Sequence, residues 1–372
     1  MKRLFLVLAV PLFAIALAVA AEEDIKPLAI GAKAPDFTLP GVDGRNHSLA
    51  DFAKSKLLLI VFTANHCPTA QYYEERLKRI VSDYKGKGVA VVAIAPNDPH
   101  SVRLDELGYT DLADSFEEMK IRAAHKKFNF PYLFEGDSTG ISRAYGPTAT
   151  PHAFLFDAGR KLRYVGRIDD SEREEYVKTR DLRNALDALL AGRDVPVAQT
   201  HAFGCSIKWA GKADSVKKFM AKLAAEPVSV EPVDAAGLKG LRKNGSGKLR
   251  LVNFWATWCG PCITEFPELI EINRMYRHRA FEFVSVAANF PDEKNEVLAF
   301  LKKNEASNRN LFFADTDKYK LMEAFDAEWN AALPYSMLIA PNGEVLYKIQ
   351  GAIDPLELKR TIVRSLKEDR FK

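Results

Sequence analysis

Residues 249–262 read LRLVNFWATWCGPC, and this stretch decides the fold. Its first seven residues form a largely apolar run of strand length, and its two cysteines are separated by two residues. A helical pattern follows over residues 263–276, and a second apolar run covers residues 281–288. A buried strand, a helix and another buried strand in this order predict a parallel β-α-β unit.

The same order of elements occurs earlier in the chain. An apolar run at residues 57–62 is followed by a helical pattern at residues 72–84 and a second apolar run at residues 89–95. When the two regions are aligned on Cys67 and Cys259, the sequence IVFTANHC lies over VNFWATWC. This similarity indicates an internal duplication.

The duplication extends beyond the β-α-β unit. Pro151 and Pro334 each precede a strand pattern, 84 and 75 residues after the aligned cysteine. Each copy then ends in a hairpin and a helix. The sequence therefore predicts two tandem copies of one α/β fold, each with a central mixed β-sheet flanked by helices.

The first residues have the features of an export signal. Lys2 and Arg3 precede the apolar run Leu4–Ala20, which ends in small residues. This pattern predicts a cleaved signal peptide over residues 1–20 and hence a periplasmic or secreted protein. An uncleaved anchor helix is the alternative, although an apolar run of this length that contains Pro11 is short for a membrane span. Contact with a membrane is expected only through such an uncleaved signal.

Length and local composition divide the rest of the chain. A chain of 372 residues favours two ordinary domains over a single large one. Prolines and an extra helical pattern separate the two copies. The predicted divisions are residues 28–192 (the first module), residues 193–226 (a linker with an extra helix) and residues 227–372 (the second module).

Charge and cysteine content exclude several classes of protein. The net charge is only +4, so no nucleic-acid partner is expected. The chain contains four cysteines, which are too few for a framework of structural disulfides in a chain of this length. Each cysteine is therefore interpreted in terms of its own chemistry.

The cysteine pair of the second module has the context of a redox site. Cys259 and Cys262 follow a buried strand and open a helix. Unpaired N–H groups and the positive end of the helix dipole stabilise a thiolate at Cys259. We therefore expect Cys259 to be the exposed attacking thiol and Cys262 the buried resolving thiol. A zinc half-site or an inert disulfide has the same spacing, but no second cysteine or histidine pair accompanies this one.

Residues 233–367 resemble the thioredoxin superfamily, specifically its TlpA/ResA-like branch. The resemblance implies that Pro334 is a cis-proline facing the dithiol and that Glu265 takes part in thiol proton transfer. Ordinary thioredoxins carry a buried aspartate where this chain has Asn253, which leaves Glu265 as the candidate proton acceptor. The alternatives are a solvated carboxylate at Glu265 and a plain loop proline at Pro334. Trp258 is interpreted as packing at the rim of the site.

The first module resembles the AhpC/TSA (redoxin) family through residues 31–37, 62–68 and 150–151. It keeps Cys67 at the attacking position but has Ala70 where a C-x-x-C resolving cysteine would stand. Peroxiredoxins of this family need a proline and a threonine seven and three residues before the cysteine. Those positions are Ile60 and Ala64 here, which argues against peroxidase activity of that type.

Two hypotheses address what Cys67 works with. Cys205 becomes its partner if the segment after the first module folds back over it; otherwise the two thiols are independent. Alternatively, Cys67 and His152, with His66 and His201 nearby, form a copper or zinc site as in the Sco copper chaperones. Plain structural histidines are the simpler interpretation of the latter pattern.

Together these features predict an exported thiol-disulfide oxidoreductase that reduces protein disulfides through Cys259 and Cys262, with the first module assisting. The redox-active disulfide is its expected redox group, with no other cofactor. The resemblance implies disulfide-containing client proteins, such as cytochrome c apoproteins or copper-site proteins, and a membrane electron donor. The alternatives are a thiol peroxidase with antioxidant activity through Cys67 and a copper-binding or chaperone module built on Cys67 and nearby histidines.

Overall fold

The computed structural model describes residues 25–366, apart from the side chain of Asp137. The predicted signal peptide over residues 1–20 lies outside the described residues. None of the helices between residues 25 and 366 combines the length and the apolarity that crossing a bilayer requires.

The first module is built around a five-stranded mixed sheet with the strand order β5-β4-β3-β6-β7. Strands β3, β4 and β5 are parallel, β6 runs antiparallel to β3, and β7 runs antiparallel to β6. A separate hairpin, β1-β2, precedes the sheet. The strands of the first module are Thr38–Pro40 (β1), Asn46–Ser48 (β2), Leu57–Phe62 (β3), Val89–Ala95 (β4), Tyr132–Phe134 (β5), His152–Phe156 (β6) and Leu162–Gly166 (β7). Its α-helices are Pro68–Tyr84 (α1), Phe116–Lys126 (α2), Gly140–Tyr145 (α3) and Asp181–Leu190 (α4).

The second module contains a six-stranded sheet with the order β13-β12-β9-β10-β11-β8. Helix α5, Ala213–Ala224, precedes it. The strands are Glu231–Val233 (β8), Leu249–Trp255 (β9), Phe281–Ala287 (β10), Arg309–Phe313 (β11), Tyr335–Ile339 (β12) and Val345–Gln350 (β13). The helices are Ala235–Lys243 (α6), Gly260–Tyr276 (α7), Lys294–Lys303 (α8), Lys318–Phe325 (α9) and Pro355–Leu366 (α10).

The two sheets share one core order and one register. Strand β3 pairs with β6 so that Phe62 lies opposite His152, and β9 pairs with β12 so that Phe254 lies opposite Tyr335. Phe62 and Phe254 are equivalent by the cysteine alignment, and His152 and Tyr335 each follow the aligned prolines Pro151 and Pro334. The prediction of two tandem α/β folds with central mixed sheets is confirmed.

The central strand of each sheet is buried on both faces. Every residue of β3 and of β9 is buried, because helices cover both sides of each sheet. Burial of one Phe or Leu side chain stabilises a fold by about 1.5–3 kcal/mol. The large hydrophobic side chains of these strands therefore fix the position of the chain at their carboxyl ends, where Cys67 and Cys259 follow.

The modules dock through a loop of the first module and helix α7 of the second. Leu107 is 6% exposed and belongs to the hydrophobic core of the second module. The hydroxyl of Tyr276 donates a hydrogen bond to the carbonyl of Thr110 at 2.7 Å. Arg360 Nε contacts Asp111 Oδ2 at 3.1 Å. Apolar and polar contacts thus join the two modules.

Candidate active site

The sulfur pair of the second module lies where helix α7 begins. Cys259 is the N-cap residue, with extended backbone, and its Sγ accepts a hydrogen bond from the N–H of Cys262 at 3.4 Å. The two sulfurs form a disulfide with an S–S distance of 2.01 Å. The same backbone N–H and helix dipole favour a thiolate on Cys259 once the disulfide is reduced.

The exposure of Cys259 differs from the sequence expectation. Cys262 is fully buried, as expected, but Cys259 is only 7% exposed and is not an open thiol. The capping contact explains this difference, because it turns the sulfur towards the first turn of the helix. The neighbouring Trp258 is 60% exposed, in agreement with a position at the rim of the site.

A shallow apolar cavity of about 370 Å³ lies beside Trp258, the residue that precedes Cys259. Trp258, Phe290 and Tyr319 line it, and each of these rings is largely exposed to solvent. Lys318 Nζ lies 3.4 Å from the centre of the Phe290 ring, which adds a positive charge to this surface. Leu333, whose peptide bond to Pro334 is cis, forms another part of the lining.

Glu265 lies one turn of α7 after Cys262 and is 7% exposed, so it is not a solvated surface carboxylate. Its Oε1 accepts a hydrogen bond from Asn253 Nδ2 at 3.0 Å, and its Oε2 accepts one from the N–H of Ile353 at 2.9 Å. Burial raises the pKa of Glu265 above its usual value, although these two hydrogen bonds oppose the increase. The carboxyl therefore keeps a proton to a higher pH than an exposed glutamate does.

Cys67 occupies the corresponding position in the first module. It is the N-cap residue of α1 and is fully buried. Its Sγ accepts a hydrogen bond from the N–H of Ala70 at 3.3 Å, the counterpart of the contact from Cys262 to Cys259. The thiol also lies 3.1 Å from the carbonyl oxygen of Thr150, the residue before the cis-proline Pro151.

A buried charge pair lies next to Cys67. His66 Nδ1 is 2.5 Å from Asp114 Oδ2, and Asn97 Nδ2 donates to the same oxygen at 2.7 Å. Burial alone would lower the pKa of His66, but the Asp114 carboxylate outweighs it and raises that pKa. The sequence analysis missed Asp114 and Asn97, because neither has a motif and Asp114 lies 48 residues from His66.

The surroundings of Cys67 favour its thiolate. Burial by itself raises the pKa of this thiol, but a hydrogen bond from Cys205, the N–H of Ala70 and the charge of His66 outweigh that effect. The pKa of Cys67 is lowered to about 6. A thiol with these surroundings is ionised at neutral pH.

The segment after the first module folds back over Cys67. The N–H of Thr150 donates to the carbonyl of Cys205 at 2.9 Å, and the two residues pair as in an antiparallel sheet. Neither Cys67 nor Cys205 forms a disulfide in this structure. The hypothesis that Cys205 can reach Cys67 therefore has structural support, whereas a disulfide between them stays a hypothesis.

The remaining candidates of the first module do not converge on a metal site. His152 Nδ1 accepts a hydrogen bond from the N–H of Thr148 at 3.1 Å, and burial lowers the pKa of His152 to about 3. His201 is exposed. In the part of the chain that the structure describes, no three His, Cys, Asp or Glu side chains are grouped as metal ligands. The copper or zinc hypothesis thus gains no support.

The positions that a peroxiredoxin needs are apolar here. Ile60 is buried within β3, and Ala64 is 4% exposed beside Cys67. Ala64 offers no hydroxyl group to hold a peroxide near the Cys67 sulfur. The structure therefore adds nothing in favour of the peroxidase alternative.

Comparison with known proteins finds a separate family model for each module. A model described as the AhpC/TSA family matches residues 30–165, and one described as Redoxin matches residues 239–362. The boundaries of these matches lie within the predicted modules.

Named relatives match about a third of this chain. The thiol-disulfide oxidoreductase ResA of Bacillus subtilis is 32% identical over 107 residues, which are 29% of this chain and 55% of that protein. The thiol:disulfide interchange protein HelX of Rhodobacter capsulatus is 28% identical over 130 residues, which are 35% of this chain and 67% of that protein. The chain thus spans about half to two thirds of the length of these relatives.

Two solved structures are also similar. A hypothetical protein, SMc02350, from Sinorhizobium meliloti is 37% identical; the match covers 50% of this chain and 96% of that one, with a TM-score of 0.44. An uncharacterized conserved protein from Geobacillus kaustophilus is 38% identical; the match covers 49% of this chain and 92% of that one, also with a TM-score of 0.44.

The two family models and the relatives agree with the duplicated sheet order and with the cysteines at the two helix starts. The chain belongs to the thioredoxin superfamily and contains two redoxin-like modules.

Proposed function

We propose that this protein is an exported thiol-disulfide oxidoreductase whose second module reduces disulfides in client proteins. The observation that carries the proposal is the Cys259–Cys262 disulfide at the start of α7, directly after Trp258, which lines an exposed apolar cavity. The names of the relatives, which are thiol-disulfide oxidoreductases and thiol:disulfide interchange proteins, support the same reaction class.

The reaction is an exchange of one disulfide for another. In the reduced module, the Cys259 thiolate attacks one sulfur of a client disulfide, and the other client sulfur leaves as a thiolate. Cys262 then attacks the Cys259 sulfur and releases the client's first sulfur. Two electrons pass to the client, and the module ends with the Cys259–Cys262 disulfide that the structure contains.

Glu265 supplies a route for the proton of the second step. Cys262 is fully buried, so its thiol has no direct contact with bulk water to which it can lose a proton. Glu265 is on the same helix, three residues further on, and residues with this spacing share a helix face. Its carboxylate would accept the Cys262 proton while Cys262 attacks the mixed disulfide.

The cavity beside Trp258 gives clients a place to bind. Exposed aromatic rings bind extended polypeptide through apolar contacts, and Leu333 forms no backbone hydrogen bond with other described residues. A client strand can pair with this backbone and bring its disulfide to Cys259. We propose that the clients are disulfide-containing proteins outside the cytoplasm and that a membrane electron donor regenerates the dithiol.

Insulin reduction tests the proposed function. The pre-reduced protein is expected to reduce insulin disulfides, and Cys259→Ser or Cys262→Ser is expected to abolish turnover. Thr264→Ser is a matched control, because Thr264 is exposed on the same helix and serine keeps its hydrogen bond to the carbonyl of Gly260. Full activity in the double variant Cys259→Ser/Cys262→Ser, or none in the reduced wild type, contradicts the proposal.

A further inference from the structure

Residues 198–208, which we call the strap, run across the first module over Cys67. The strap begins along the edge strand β7, where the N–H of Val165 donates to the carbonyl of Ala198 at 2.9 Å. The N–H of Thr200 donates back to the carbonyl of Val165 at 3.0 Å. These bonds attach the start of the strap to the sheet.

The middle of the strap lies against the residue before the cis-proline. Cys205 pairs with Thr150 as described above, and Gly204 makes the close approach possible. Gly204 has φ +141°, and a Cβ atom there would lie 2.0 Å from the carbonyl oxygen of Thr150. Any larger residue at this position would push the strap away from Thr150 and Cys67.

The end of the strap is attached to the buried network beside Cys67. The N–H of Lys208 donates to Asn97 Oδ1 at 2.8 Å, and Asn97 in turn holds Asp114. Lys208 Nζ pairs with Glu106 at 2.6 Å, and Ile207 is 2% exposed. The strap is therefore a folded part of the first module, although the sequence predicts it within the linker.

Comparison with the second module identifies the backbone that the strap covers. Thr150 and Leu333 are equivalent, since each precedes a cis-proline opposite a helix-capping cysteine. The backbone of Thr150 is paired with the strap, whereas Leu333 forms no backbone hydrogen bond with the other described residues. Here, an extended peptide with a cysteine already lies on the first module, in the place where a client would pair.

We propose that the strap is an internal client of the first module and that Cys67 and Cys205 form a second redox couple, whose outward-facing sulfur is that of Cys205. The term internal client rests on the client pairing proposed for the second module, whereas the redox couple of the first module does not. It rests on the pairing of Thr150 with Cys205, on the contact between the two thiols and on the attachment of the strap at both ends.

Oxidation of the couple by a small disulfide such as glutathione disulfide proceeds in two exchanges. Cys205, ionised by loss of its proton, attacks the small disulfide, forms a mixed disulfide and releases one glutathione thiolate. The Cys67 thiolate then attacks the Cys205 sulfur, forms the Cys67–Cys205 bond and releases the second glutathione thiolate. The two cysteines lose two electrons, glutathione disulfide gains them, and the released thiolates take up protons from water.

The difference in burial between Cys67 and Cys205 determines which of the two sulfurs an external molecule can reach. Cys67 is fully buried, whereas Cys205 is partly exposed, so an external thiol or disulfide reaches Cys205 first. In the reverse direction, a reductant attacks Cys205 and Cys67 leaves. The N–H of Ala70 and the charge of His66 stabilise Cys67 as a leaving thiolate, and a stable thiolate leaves faster.

Disulfide mapping in a variant without the second dithiol tests the proposal. Cys259→Ser/Cys262→Ser leaves Cys67 and Cys205 as the cysteines of the chain. After reduction and exposure to glutathione disulfide, we expect the free thiols to disappear and mass spectrometry of the non-reduced digest to show a Cys67–Cys205 peptide. Two persistent free thiols, a stable glutathione adduct on either cysteine, or an intermolecular dimer would overturn the proposal.

A glycine variant tests the role of the strap in the same background. Gly204→Val should displace the strap, abolish the Cys67–Cys205 peptide and speed alkylation of Cys67. Gly211→Ala is the matched control, because a Cβ atom at Gly211 meets no atom within 4 Å, and it should form the peptide normally. Circular dichroism confirms that both variants fold. Formation of the peptide at an unchanged rate in Gly204→Val would overturn the internal-client role.

Discussion

The two modules share a scaffold and differ in where the second sulfur comes from. In both, a buried strand ends at a cysteine that caps a helix and accepts a hydrogen bond from the N–H three residues later. The second module takes its other sulfur from Cys262, inside that helix. The first module has Ala70 there, and its nearby sulfur is Cys205 on the strap.

The difference shows what a C-x-x-C spacing provides. With both sulfurs at the start of one helix, the backbone before the cis-proline stays open beside an apolar cavity. When the other sulfur comes from a strap, the strap itself pairs with that backbone. One fold can therefore present an open site for other proteins or a site covered by its own chain.

Among variants that keep both cysteines of the open site, the largest effect is expected from Glu265→Gln. Glutamine cannot accept the Cys262 proton, so insulin reduction should fall by roughly 100-fold. Because burial raises the pKa of Glu265, the wild-type rate should rise with pH as this carboxyl loses its proton, and the variant should lack that rise. Rates measured across pH check both points. A pH profile that is unchanged in the variant would show that Glu265 carries no proton in the reaction.

A smaller effect is expected from Trp258→Ala in the client cavity. Removal of an exposed anchoring tryptophan costs about 2 kcal/mol, which corresponds to roughly a 30-fold loss in kcat/KM for insulin. Most of the loss should appear in KM. Tyr176→Ala is the control, because Tyr176 is a similarly exposed ring on the first module. Equal losses in the two variants would mean that the cavity does not bind the client.

In the covered site, replacement of Cys205 should change the pKa of Cys67, because the two sulfurs are in contact. A lowered pKa means that the Cys67 thiolate persists above about 6 and is lost as the pH falls through that value. Cys205→Ala removes a hydrogen bond to this thiolate and should raise the pKa of Cys67, whereas Cys205→Ser keeps a donor and should raise it less.

Ultraviolet absorbance of the thiolate measures this pKa when Cys259 and Cys262 are replaced by serine. In that background Cys67 is the single remaining thiol of either Cys205 variant. The same pKa in the alanine and serine variants would mean that no hydrogen bond from residue 205 stabilises Cys67.

The smallest effect concerns the contact between the modules. Tyr276→Phe removes the hydrogen bond to the carbonyl of Thr110 and should lower the free energy of unfolding by about 1 kcal/mol. Denaturant unfolding measures the loss. Tyr319→Phe is the control, because Tyr319 is 77% exposed and its hydroxyl can bond to water in either state. Equal stability of Tyr276→Phe and the wild type would show that this contact does not stabilise the docking.

The parts of this molecule that are repeated or follow a local sequence pattern could be predicted from the sequence. Apolar runs located β3 and β9, and alignment on Cys67 and Cys259 indicated the duplication, which the matching strand pairing of the two sheets reflects. The resemblance to the TlpA/ResA-like branch implied that Pro334 is a cis-proline, and its peptide bond is cis.

Long-range contacts without a motif were not predictable. Asp114 reaches His66 from a loop, and Leu107 enters the core of the other module; nothing in the surrounding sequence indicates either contact. The burial of Cys259 depends on the direction in which its side chain caps the helix, which spacing alone does not give. The strap was predicted within the linker because this segment contains prolines that are typical of linkers. The close approach of Gly204 to Thr150, which places the strap on the first module, is visible only in the structure.

Site-resolved trapping of a mixed disulfide tests the contrast between the modules most directly. The Cys262→Ser protein, reduced and then mixed with an excess of a peptide that contains a disulfide, is quenched with acid and mapped by mass spectrometry. The peptide should be found on Cys259 and not on Cys67, which lies beneath the strap. A peptide joined to Cys67, or none on Cys259, would contradict the assignment of an open dithiol site and a covered one.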